Sequence, residues 1–410
     1  MRSVLLIAVL VAACGQDSAP PSDAHVEKPP TYYKNVAEIL GRNCVGCHDI
    51  DGAGPFPLAT YDQALDNADA IAAVTASRTM PPWPADSSGA CSTFVGQRWL
   101  TDAEIATLGR WAADGAPAGD PSDARPIETP PAPTLTPAVE VGSPEPYSVE
   151  PGLTSDEYRC FVVDPGLASD RFITAFAVML DRAEVVHHMQ LYSADFASAE
   201  SDILARDAAD PAPGYSCDSE GTGSGLRYIG VWAAGDTVKR WPEDTGIRVL
   251  ANRKLVVQFH YHNHTSAPIL DRSQVALELA DTVEAEAKIF GIGMPDLSLP
   301  PGMANVETSR VRAMPTTVTV RAARLHMHTL GSHARIEVLQ GLDTHCLLSI
   351  PRWNFGWQLF YTLDEPITLV EDTLVKVTCG YDTTSRTEVV EWGESTDEEM
   401  CLGYLYTTPE

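Results

Sequence analysis

From Pro151 to the C-terminus, the chain consists of short runs of β-branched and aromatic residues separated by Gly, Pro, Asp and Asn. Such runs predict β-strands, because branched and aromatic side chains suit a pleated, half-buried surface. The clearest runs are residues 171–178, 254–261, 317–328, 334–339 and 373–379. About 260 residues of this kind are too many for one ordinary sandwich, so we predict two all-β, jelly-roll-like sandwiches in tandem, at 146–285 and 286–410.

Residues 31–120 have helical character instead. Apolar residues recur at helical spacing over 32–42, and a second helix is predicted to begin at Thr101, where Glu104 completes a capping box. Prolines then recur every few residues without a sustained apolar period, which indicates an extended linker at 121–145. The expected fold class is therefore multidomain, with a small all-α module followed by the two all-β sandwiches.

The N-terminus has the pattern of an export signal. A short positive start precedes the apolar run 4–13, which is too short to span a bilayer. The run ends at Val11-Ala12-Ala13-Cys14, which resembles a bacterial lipobox. We therefore predict a lipoprotein signal at 1–14, a tether at 15–30 and a lipid anchor on Cys14 as the only membrane contact. An ordinary secretory signal with an incidental cysteine is the alternative. Either way, the chain is expected outside the cytoplasm, in the bacterial periplasm or on the outer membrane.

The formal net charge of -28 argues against nucleic acid and anionic membrane surfaces as partners, because both would be repelled. An extracytoplasmic location permits disulfides. Of the nine cysteines, Cys14 and the pair Cys44 and Cys47 are set aside, and the sequence leaves every pairing of the other six open. Those six are Cys91, Cys160, Cys217, Cys346, Cys379 and Cys401.

The run Cys44-Val45-Gly46-Cys47-His48 is a haem c attachment motif. Two thiols in this spacing form thioether bonds to the porphyrin, and the histidine that follows supplies an axial ligand, here His48. A zinc site would need a second cysteine pair at zinc spacing, which the sequence lacks. Met80 is the only methionine between residues 2 and 178, so it is the candidate for the other axial ligand; the alternative is that it only packs beside the ring. We predict a cytochrome c domain at 31–120 with one covalent haem c that carries electrons.

Histidines recur in three places within the predicted strands. His326 and His328 are two residues apart, so a strand would project both from one face, where they could hold one metal ion. His187 and His188 are adjacent, so they could share an ion only where a strand ends or bulges. The third group, His260, His262 and His264, alternates along one face, and its pattern does not say which member is the ligand. Taken singly, each group is compatible with ordinary half-buried histidines.

The residues that flank these histidines, and the order of the motifs along the chain, change that interpretation. They are Val186-His187-His188-Met189, Gln258-Phe259-His260-Tyr261-His262-Asn263, Leu325-His326-Met327-His328 and Glu399-Met400-Cys401. Together they resemble the copper type II ascorbate-dependent monooxygenases. The resemblance covers roughly residues 145–406. It implies two β-sandwich domains with two copper ions facing each other across a solvent-filled cleft.

The resemblance implies a role for each motif. His187, His188 and His260 would hold an electron-transfer copper, whereas His326, His328 and Met400 would hold the copper that binds and activates O2. Imidazole binds both oxidation states of copper and soft sulfur favours Cu(I), so these ligand sets suit a redox-active pair. The expected activity is hydroxylation of a C–H bond, with one O2 and two electrons consumed. The resemblance also implies the disulfides Cys379–Cys401 and Cys160–Cys217, and leaves Cys91 and Cys346 as free thiols or as one bridge between modules.

Arg324 and Tyr404 occupy positions that bind the peptide carboxylate in the peptide-amidating members of that family. The alternative is that these two side chains only take part in ordinary strand packing. Leu402 replaces an asparagine of that anchor, so a peptide C-terminus is a doubtful substrate and the substrate class stays open between small organic and peptide-like molecules.

An external donor would reduce the haem, which would pass electrons to copper, with the linker letting the haem domain swing. Two competing interpretations are a non-catalytic copper-binding and electron-transfer protein, and an adhesion module with relict histidines.

Overall fold

The computed structural model describes residues 28–49, 54, 56–125, 134–136, 138–152, 157–217, 225–233, 238–341, 343–393, 395 and 397–410. The predicted signal at 1–14, its lipobox cysteine Cys14 and most of the tether lie outside the described residues. Within the described ranges, no helix combines the length and the apolar character needed to cross a bilayer.

A helical module precedes the β domains. It begins with a π-helical turn at Tyr32–Val36 and continues with α1 (Ala37–Asn43), α2 (Tyr61–Asp66), α3 (Ala68–Ala76) and α4 (Asp102–Ala113). The capping box at Thr101 and Glu104 is confirmed, since each side chain bonds the backbone N–H of the other. The buried side chains of Val36, Leu40 and Trp111 form part of a separate small core.

The first β domain is a sandwich with one helix, α5 (Ala197–Ala209), on its outer face. One sheet has the order β6-β3-β10-β5-β7, and the other contains β1, β12, β4 and β9 as neighbours with β8 paired to β4. The strands are β1 (Val139–Gly142), β2 (Tyr147–Val149), β3 (Glu157–Val163), β4 (Arg171–Met179), β5 (Val186–Ala194), β6 (Tyr215–Ser216), β7 (Leu226–Ala233), β8 (Lys239–Arg240), β9 (Thr245–Val249), β10 (Leu255–Tyr261), β11 (Ile269–Asp271) and β12 (Gln274–Ala280).

The second β domain packs the strands β13-β22-β16-β19 against a sheet of order β15-β20-β17-β18. Its strands are β13 (Ala285–Gly293), β14 (Ser298–Leu299), β15 (Val306–Ala313), β16 (Val318–His326), β17 (Gly331–Gln340), β18 (Asp343–Ile350), β19 (Tyr361–Leu369), β20 (Leu374–Tyr381), β21 (Val390–Glu391) and β22 (Leu402–Thr408). The expectation of tandem all-β sandwiches is confirmed. The linker ends before the predicted residue 145, because residues 139–142 already form β1, which pairs with β12.

The two β domains share one continuous sheet. Residues 285–287 of β13 pair in parallel with β9 of the first domain, and residues 288–293 pair with β22 of the second. Tyr406 of β22 and Ala322 of β16 belong to the core of the first domain, whereas Leu405 and Ala323 face the core of the second. One face of β16 and β22 therefore packs against the first domain, and this places Arg324 and His326 at the boundary between the domains.

The helical module is attached firmly to the second β domain. A disulfide joins Cys91 to Cys346 on β18, and Phe94 forms a β-bridge with Leu363 on β19. Phe94 is 1% exposed and lies inside the core of the second domain. The expectation of a module that swings on its linker is therefore wrong, because these contacts hold the segment after Met80 in place.

Candidate metal sites

Three histidines of the first β domain converge on one point. The Nδ1 atom of His188 lies 3.2 Å from Nδ1 of His187 and 3.2 Å from Nδ1 of His260. Nitrogen ligands about 2.0–2.1 Å from one metal ion are separated by roughly this spacing. We call His187, His188 and His260 the three-histidine site.

A β-bulge brings the adjacent histidines together. On β5, His188 pairs with His260 and Val186 pairs with Tyr261, so His187 is the extra residue in the ladder. A bulged residue points away from the regular alternation, which lets neighbouring side chains reach the same ion. His187 and His188 could share one ion only at a strand end or a bulge, and the structure has a bulge there. His262 and His264 stack on each other further along and are not part of the cluster that the structure forms.

The imidazole of His188 is electrically suited to bind a cation. Burial lowers the pKa of His188 well below its ordinary value, and the neighbouring rings of His260 and His187 lower it further. A ring that stays neutral keeps a lone pair available for a metal. Tyr158 stacks on His260 with ring centroids 4.4 Å apart and nearly parallel planes, which fixes the orientation of that ring.

The second cluster lies where β16 ends. His326 is the last residue of β16, and the Met327 side chain is buried in the core of the second domain. The rings of His326 and His328 therefore share the opposite side, with centroids 5.2 Å apart. Met400 precedes Cys401, whose disulfide with Cys379 fixes the start of β22. We call His326, His328 and Met400 the methionine site.

At the methionine site, hydrogen bonds to Nδ1 fix the orientation of each histidine ring. His328 Nδ1 lies 3.0 Å from the carbonyl oxygen of Glu398 and donates to it. His326 Nδ1 donates to Oε1 of Gln358. Each ring is therefore held through Nδ1, and Nε2 is the nitrogen that would ligate a metal ion. Burial lowers the pKa of His326 well below its ordinary value, with His328 adding to the shift, so this ring too is neutral.

Glu399, whose role no sequence pattern indicated, organises the backbone of this site. Its carboxylate accepts hydrogen bonds from the backbone N–H groups of His328, Leu330 and Met400. It is 0% exposed, and burial raises its pKa to about 7. One side chain thus connects the strand end that carries His328 to the residue that carries the thioether.

Both sites open onto one cavity of about 280 Å³ between the two β domains. Its walls include His187 and His188 from one site and His326, His328 and Met400 from the other. We call it the histidine cavity. Aromatic side chains form much of the remaining wall: Tyr158, Tyr192, Tyr228, Phe355 and Tyr404.

Phe355 occupies the space between the two sites. Its ring stacks on His187 at 5.4 Å between centroids and approaches His328 edge-on at 6.1 Å. The family resemblance led us to expect a solvent-filled cleft here, and in this structure a single aromatic ring contacts ligands of both sites. Phe355 lies in a loop without regular periodicity, so no sequence pattern identified it.

Arg324 is buried and already engaged by protein groups. Its Nε donates to the carbonyl oxygen of Gln358 at 3.0 Å, and its Nη1 lies 3.3 Å from the hydroxyl of Tyr228. The guanidinium also lies over the ring of Tyr404, 5.6 Å from the centroid. Arg324 and Tyr404 both line the histidine cavity.

The haem attachment motif lies just after α1. Cys44 and Cys47 are not joined by a disulfide. His48 Nδ1 lies 2.9 Å from the carbonyl oxygen of Phe56, which leaves Nε2 free. A guanidinium nitrogen of Arg98 lies 3.9 Å from the sulfur of Cys47. These groups are compatible with covalent attachment of a porphyrin and axial ligation by His48.

A second cavity, of about 350 Å³, separates the helical module from the second β domain. Met80 and Arg98 line it from the module, and Trp353 and Trp357 line it from the β domain. We call it the inter-module cavity. Arg98 also approaches Cys47, whereas Cys44, Cys47 and His48 do not line this cavity.

The three disulfides among the described residues resolve the cysteine pairing. Cys160–Cys217 and Cys379–Cys401 form as the family resemblance implied. Cys91 pairs with Cys346, which the sequence left undecided.

Comparison with known proteins places these features in context. Residues 286–409 match the family model described as copper type II ascorbate-dependent monooxygenase, C-terminal domain. Dopamine beta-hydroxylase of Canis lupus familiaris is 24% identical over 216 residues, which cover 48% of this chain and 35% of the relative. DBH-like monooxygenase protein 1 of Homo sapiens is 27% identical over 203 residues, covering 44% of this chain and 33% of the relative. Peptidylglycine alpha-amidating monooxygenase of Rattus norvegicus is 24% identical over 272 residues, which cover 62% of this chain and 26% of the relative. The chain therefore spans only 26% to 35% of the length of these relatives.

Proposed function

We propose that this chain, whose residues 286–409 match the model of the copper type II ascorbate-dependent monooxygenase C-terminal domain, is a copper-dependent monooxygenase. It would hydroxylate a C–H bond of an organic substrate, using one O2 and two electrons and releasing one oxygen atom as water. The observation that carries the proposal is the histidine cavity, onto which the three-histidine site and the methionine site both open.

The donor sets fit two copper ions. Three imidazoles suit copper in either oxidation state, and a thioether beside two imidazoles favours Cu(I). The close Nδ1 atoms of His187, His188 and His260 support one shared ion. Copper would supply oxygen activation at the methionine site and storage of the second electron at the three-histidine site. Gln358 and Glu398 would hold the two rings of the methionine site so that each presents Nε2.

The substrate would bind in the histidine cavity, between the methionine site and the aromatic wall. A cavity of about 280 Å³ lined by Tyr228, Tyr404 and Phe355 suits a small molecule with an apolar or aromatic portion. Arg324 is paired with Gln358 and Tyr228, and Leu402 offers no amide, so a free peptide carboxylate has a weak anchor here. A small organic molecule is therefore the favoured substrate over a peptide-like one.

The helical module would be a cytochrome c domain. Cys44 and Cys47 would attach a haem c, and His48 and Met80 would be its axial ligands. Two free thiols, an imidazole with Nε2 available and a methionine on the adjoining cavity support this assignment. The haem would supply single electrons that it receives from an external donor. Arg98 would place a positive charge beside the attachment site.

The protein would act outside the cytoplasm. The disulfides Cys91–Cys346, Cys160–Cys217 and Cys379–Cys401 support an oxidising compartment. A lipid on Cys14 would anchor the protein to the bacterial cell envelope.

Isotope labelling tests the activity. Copper-loaded protein is incubated with a reductant, ¹⁸O₂ and a metabolite extract, and products that gain one labelled oxygen atom are identified by mass spectrometry. Met400→Ile protein serves as the matched negative control. Two bound copper ions with no labelled product and no O2 consumption would instead support a copper-binding electron-transfer protein. Less than one copper ion per chain after loading would support an interaction module.

A further inference from the structure

One loop of the second β domain reaches into the histidine cavity. Residues 351–360 connect β18 to β19, and Phe355 lies within this loop. The Phe355 ring is half-buried and lines the cavity. Its stacking on His187 carries it across the domain boundary, because His187 belongs to β5 of the first domain. With its edge-on contact to His328, the loop places one apolar ring against ligands of both proposed copper sites.

The backbone around Phe355 is fixed by a tight turn. The Asn354 side chain accepts a hydrogen bond from the backbone N–H of Gly356 at 2.9 Å, and the backbone N–H of Trp357 donates to the Asn354 carbonyl at 3.0 Å. The amide nitrogen of Gln358 donates to the carbonyl of Phe355 at 2.9 Å. An asparagine that bonds the backbone two residues on stabilises a turn of this kind. The Phe355 ring is therefore a fixed part of the cavity wall.

The same loop is tied to the methionine site at two points. Gln358 accepts a hydrogen bond from His326 Nδ1, so one amide group connects the Phe355 backbone to a proposed copper ligand. The indole N–H of Trp353 donates to the backbone carbonyl of His328 at 3.0 Å. Hydrogen bonds on both sides of Phe355 thus set its position relative to the methionine site. A substrate would have to fit beside this ring rather than displace it.

Tyrosines form another wall of the histidine cavity. The rings of Tyr228 and Tyr404 stack with centroids 5.4 Å apart, and Tyr192 meets Tyr228 edge-on at 5.6 Å. All three line the cavity, and we call them the tyrosine wall. Arg324 supports this wall, because its Nη1 lies 3.3 Å from the Tyr228 hydroxyl and its guanidinium lies over the Tyr404 ring. A bound molecule would therefore meet two rigid aromatic boundaries, Phe355 and the tyrosine wall.

We propose that Phe355 is a specificity-determining residue, which confines the substrate to the space beside the tyrosine wall and limits the bulk of the group that approaches the methionine site. This inference rests on the proposed function, because it concerns the substrate of the same site. A molecule that extended from the methionine site toward the three-histidine site would collide with the Phe355 ring. The substrates assigned to this chain are therefore compact molecules with a slender reacting group, and molecules that are branched at the reacting carbon are excluded.

Isocyanides of different bulk measure the space beside the methionine site. They are soft ligands that bind Cu(I), and the infrared N≡C stretch of the bound probe reports on its surroundings. Copper-loaded full-length protein is reduced under anaerobic conditions and titrated with methyl isocyanide and with cyclohexyl isocyanide. Copper-free protein gives the spectrum of any probe that binds elsewhere, and bands that disappear in Met400→Ile belong to the methionine site.

The measured quantity is the ratio of the two dissociation constants at the methionine site. In wild type, cyclohexyl isocyanide is expected to bind more weakly than methyl isocyanide. Phe355→Ala removes the ring and should reduce this ratio by about tenfold, the size of effect that one misfitting apolar group has in a pocket. Trp357→Leu, in the same loop but lining the inter-module cavity, should keep the wild-type ratio. An unchanged ratio in Phe355→Ala would overturn the proposal.

A second variant keeps the test decisive if removal of the ring disturbs the fold. Phe355→Leu retains an apolar side chain of smaller size and should reduce the ratio in the same direction by a smaller factor. Copper content is measured for every variant. Where Phe355→Ala holds less copper than wild type, Phe355→Leu is the deciding variant, and a wild-type ratio in that protein would overturn the proposal.

Failure of this inference is distinguishable from failure of the proposed function. A reduced ratio in Phe355→Ala without any ¹⁸O-labelled product would support the restriction of bulk and overturn the hydroxylation. Labelled products from wild type with an unchanged ratio in Phe355→Ala would overturn this inference alone. Less than one copper ion per chain after loading would overturn both.

Discussion

Cys91 of the helical module and Cys346 of strand β18 form a disulfide between positions 255 residues apart in sequence. Strand β18 is the edge strand of its sheet, so without a covering segment its backbone groups would be exposed. The disulfide holds the module segment against this edge, where the backbone N–H of Asp86 donates to the carbonyl of Ser349 at 2.9 Å. The module and the second β domain thus form one structural unit.

Removing this disulfide is expected to loosen the module. Cys91→Ser combined with Cys346→Ser should lower the free energy of unfolding by about 2–4 kcal/mol, because the denatured chain regains conformational freedom. Urea unfolding measures the loss. After proteolytic cleavage in the linker, non-reducing size-exclusion chromatography in denaturing urea should release the helical module from this variant only. Cys160→Ser with Cys217→Ser is the matched control, and equal retention of the module in both variants would contradict the prediction.

Gln358 is expected to control copper affinity at the methionine site. Gln358→Leu removes the acceptor for His326 Nδ1–H, so the ring loses both its orientation and part of its basicity. Copper affinity at this site should fall by about 10–100-fold, while the three-histidine site is unaffected. Competitive chelator titration measures both affinities. Gln358→Glu keeps an acceptor oxygen and should retain copper; a Leu variant that binds copper as tightly as wild type would disprove this role.

Met400→Ile is expected to separate copper binding from oxygen chemistry. The side chain is 1% exposed, and replacing it by a branched residue of similar volume should cost less than about 1.5 kcal/mol of stability. Copper should stay bound to the three histidines, and hydroxylation should be lost because the thioether is gone. Product formation and copper content are measured together. Met294→Ile, buried in the same domain, should keep full activity; activity that survives in Met400→Ile would show the site assignment to be wrong.

Acid should remove a stabilising contact in the first β domain. The hydrogen bond from Arg159 lowers the pKa of Asp210 to about 2, well below the ordinary value for an aspartate. A lowered pKa stabilises the folded state above the ordinary pKa, and this contribution is lost as pH falls from about 4 to about 2. Wild type should therefore exceed Asp210→Asn in stability at pH 7, and the difference should shrink over that interval. Unfolding midpoints measured at several pH values test this; a difference that stays constant with pH would count against it.

Parts of the fold and of both sites follow from local sequence patterns. The Thr101 and Glu104 capping box starts a helix where predicted, because those interactions lie within one turn. The alternation around His326 and His328 holds because Met327 is drawn into the core on the other side of the strand. The adjacent pair His187 and His188 needed a bulge, which the sequence permitted without specifying.

Other features depend on contacts between distant segments and have no local pattern. Gln358 and Phe355 lie in an irregular loop, and they reach the histidine cavity only once that loop packs against the first β domain. Glu399 lies beside Met400 in sequence, yet its importance comes from backbone groups near residue 328. Cysteine counting could not pair Cys91 with Cys346, because nothing in the spacing favours one partner over another.

The parallel pairing of β9 with β13 limits how the two β domains can move relative to each other. Thr245, Gly246 and Ile247 are bonded across the domain boundary to Ala285, Glu286 and Ala287, so a wide hinge motion would have to break main-chain hydrogen bonds. A molecule that reaches the histidine cavity must therefore enter through small displacements of side chains and loops rather than by separation of the two domains.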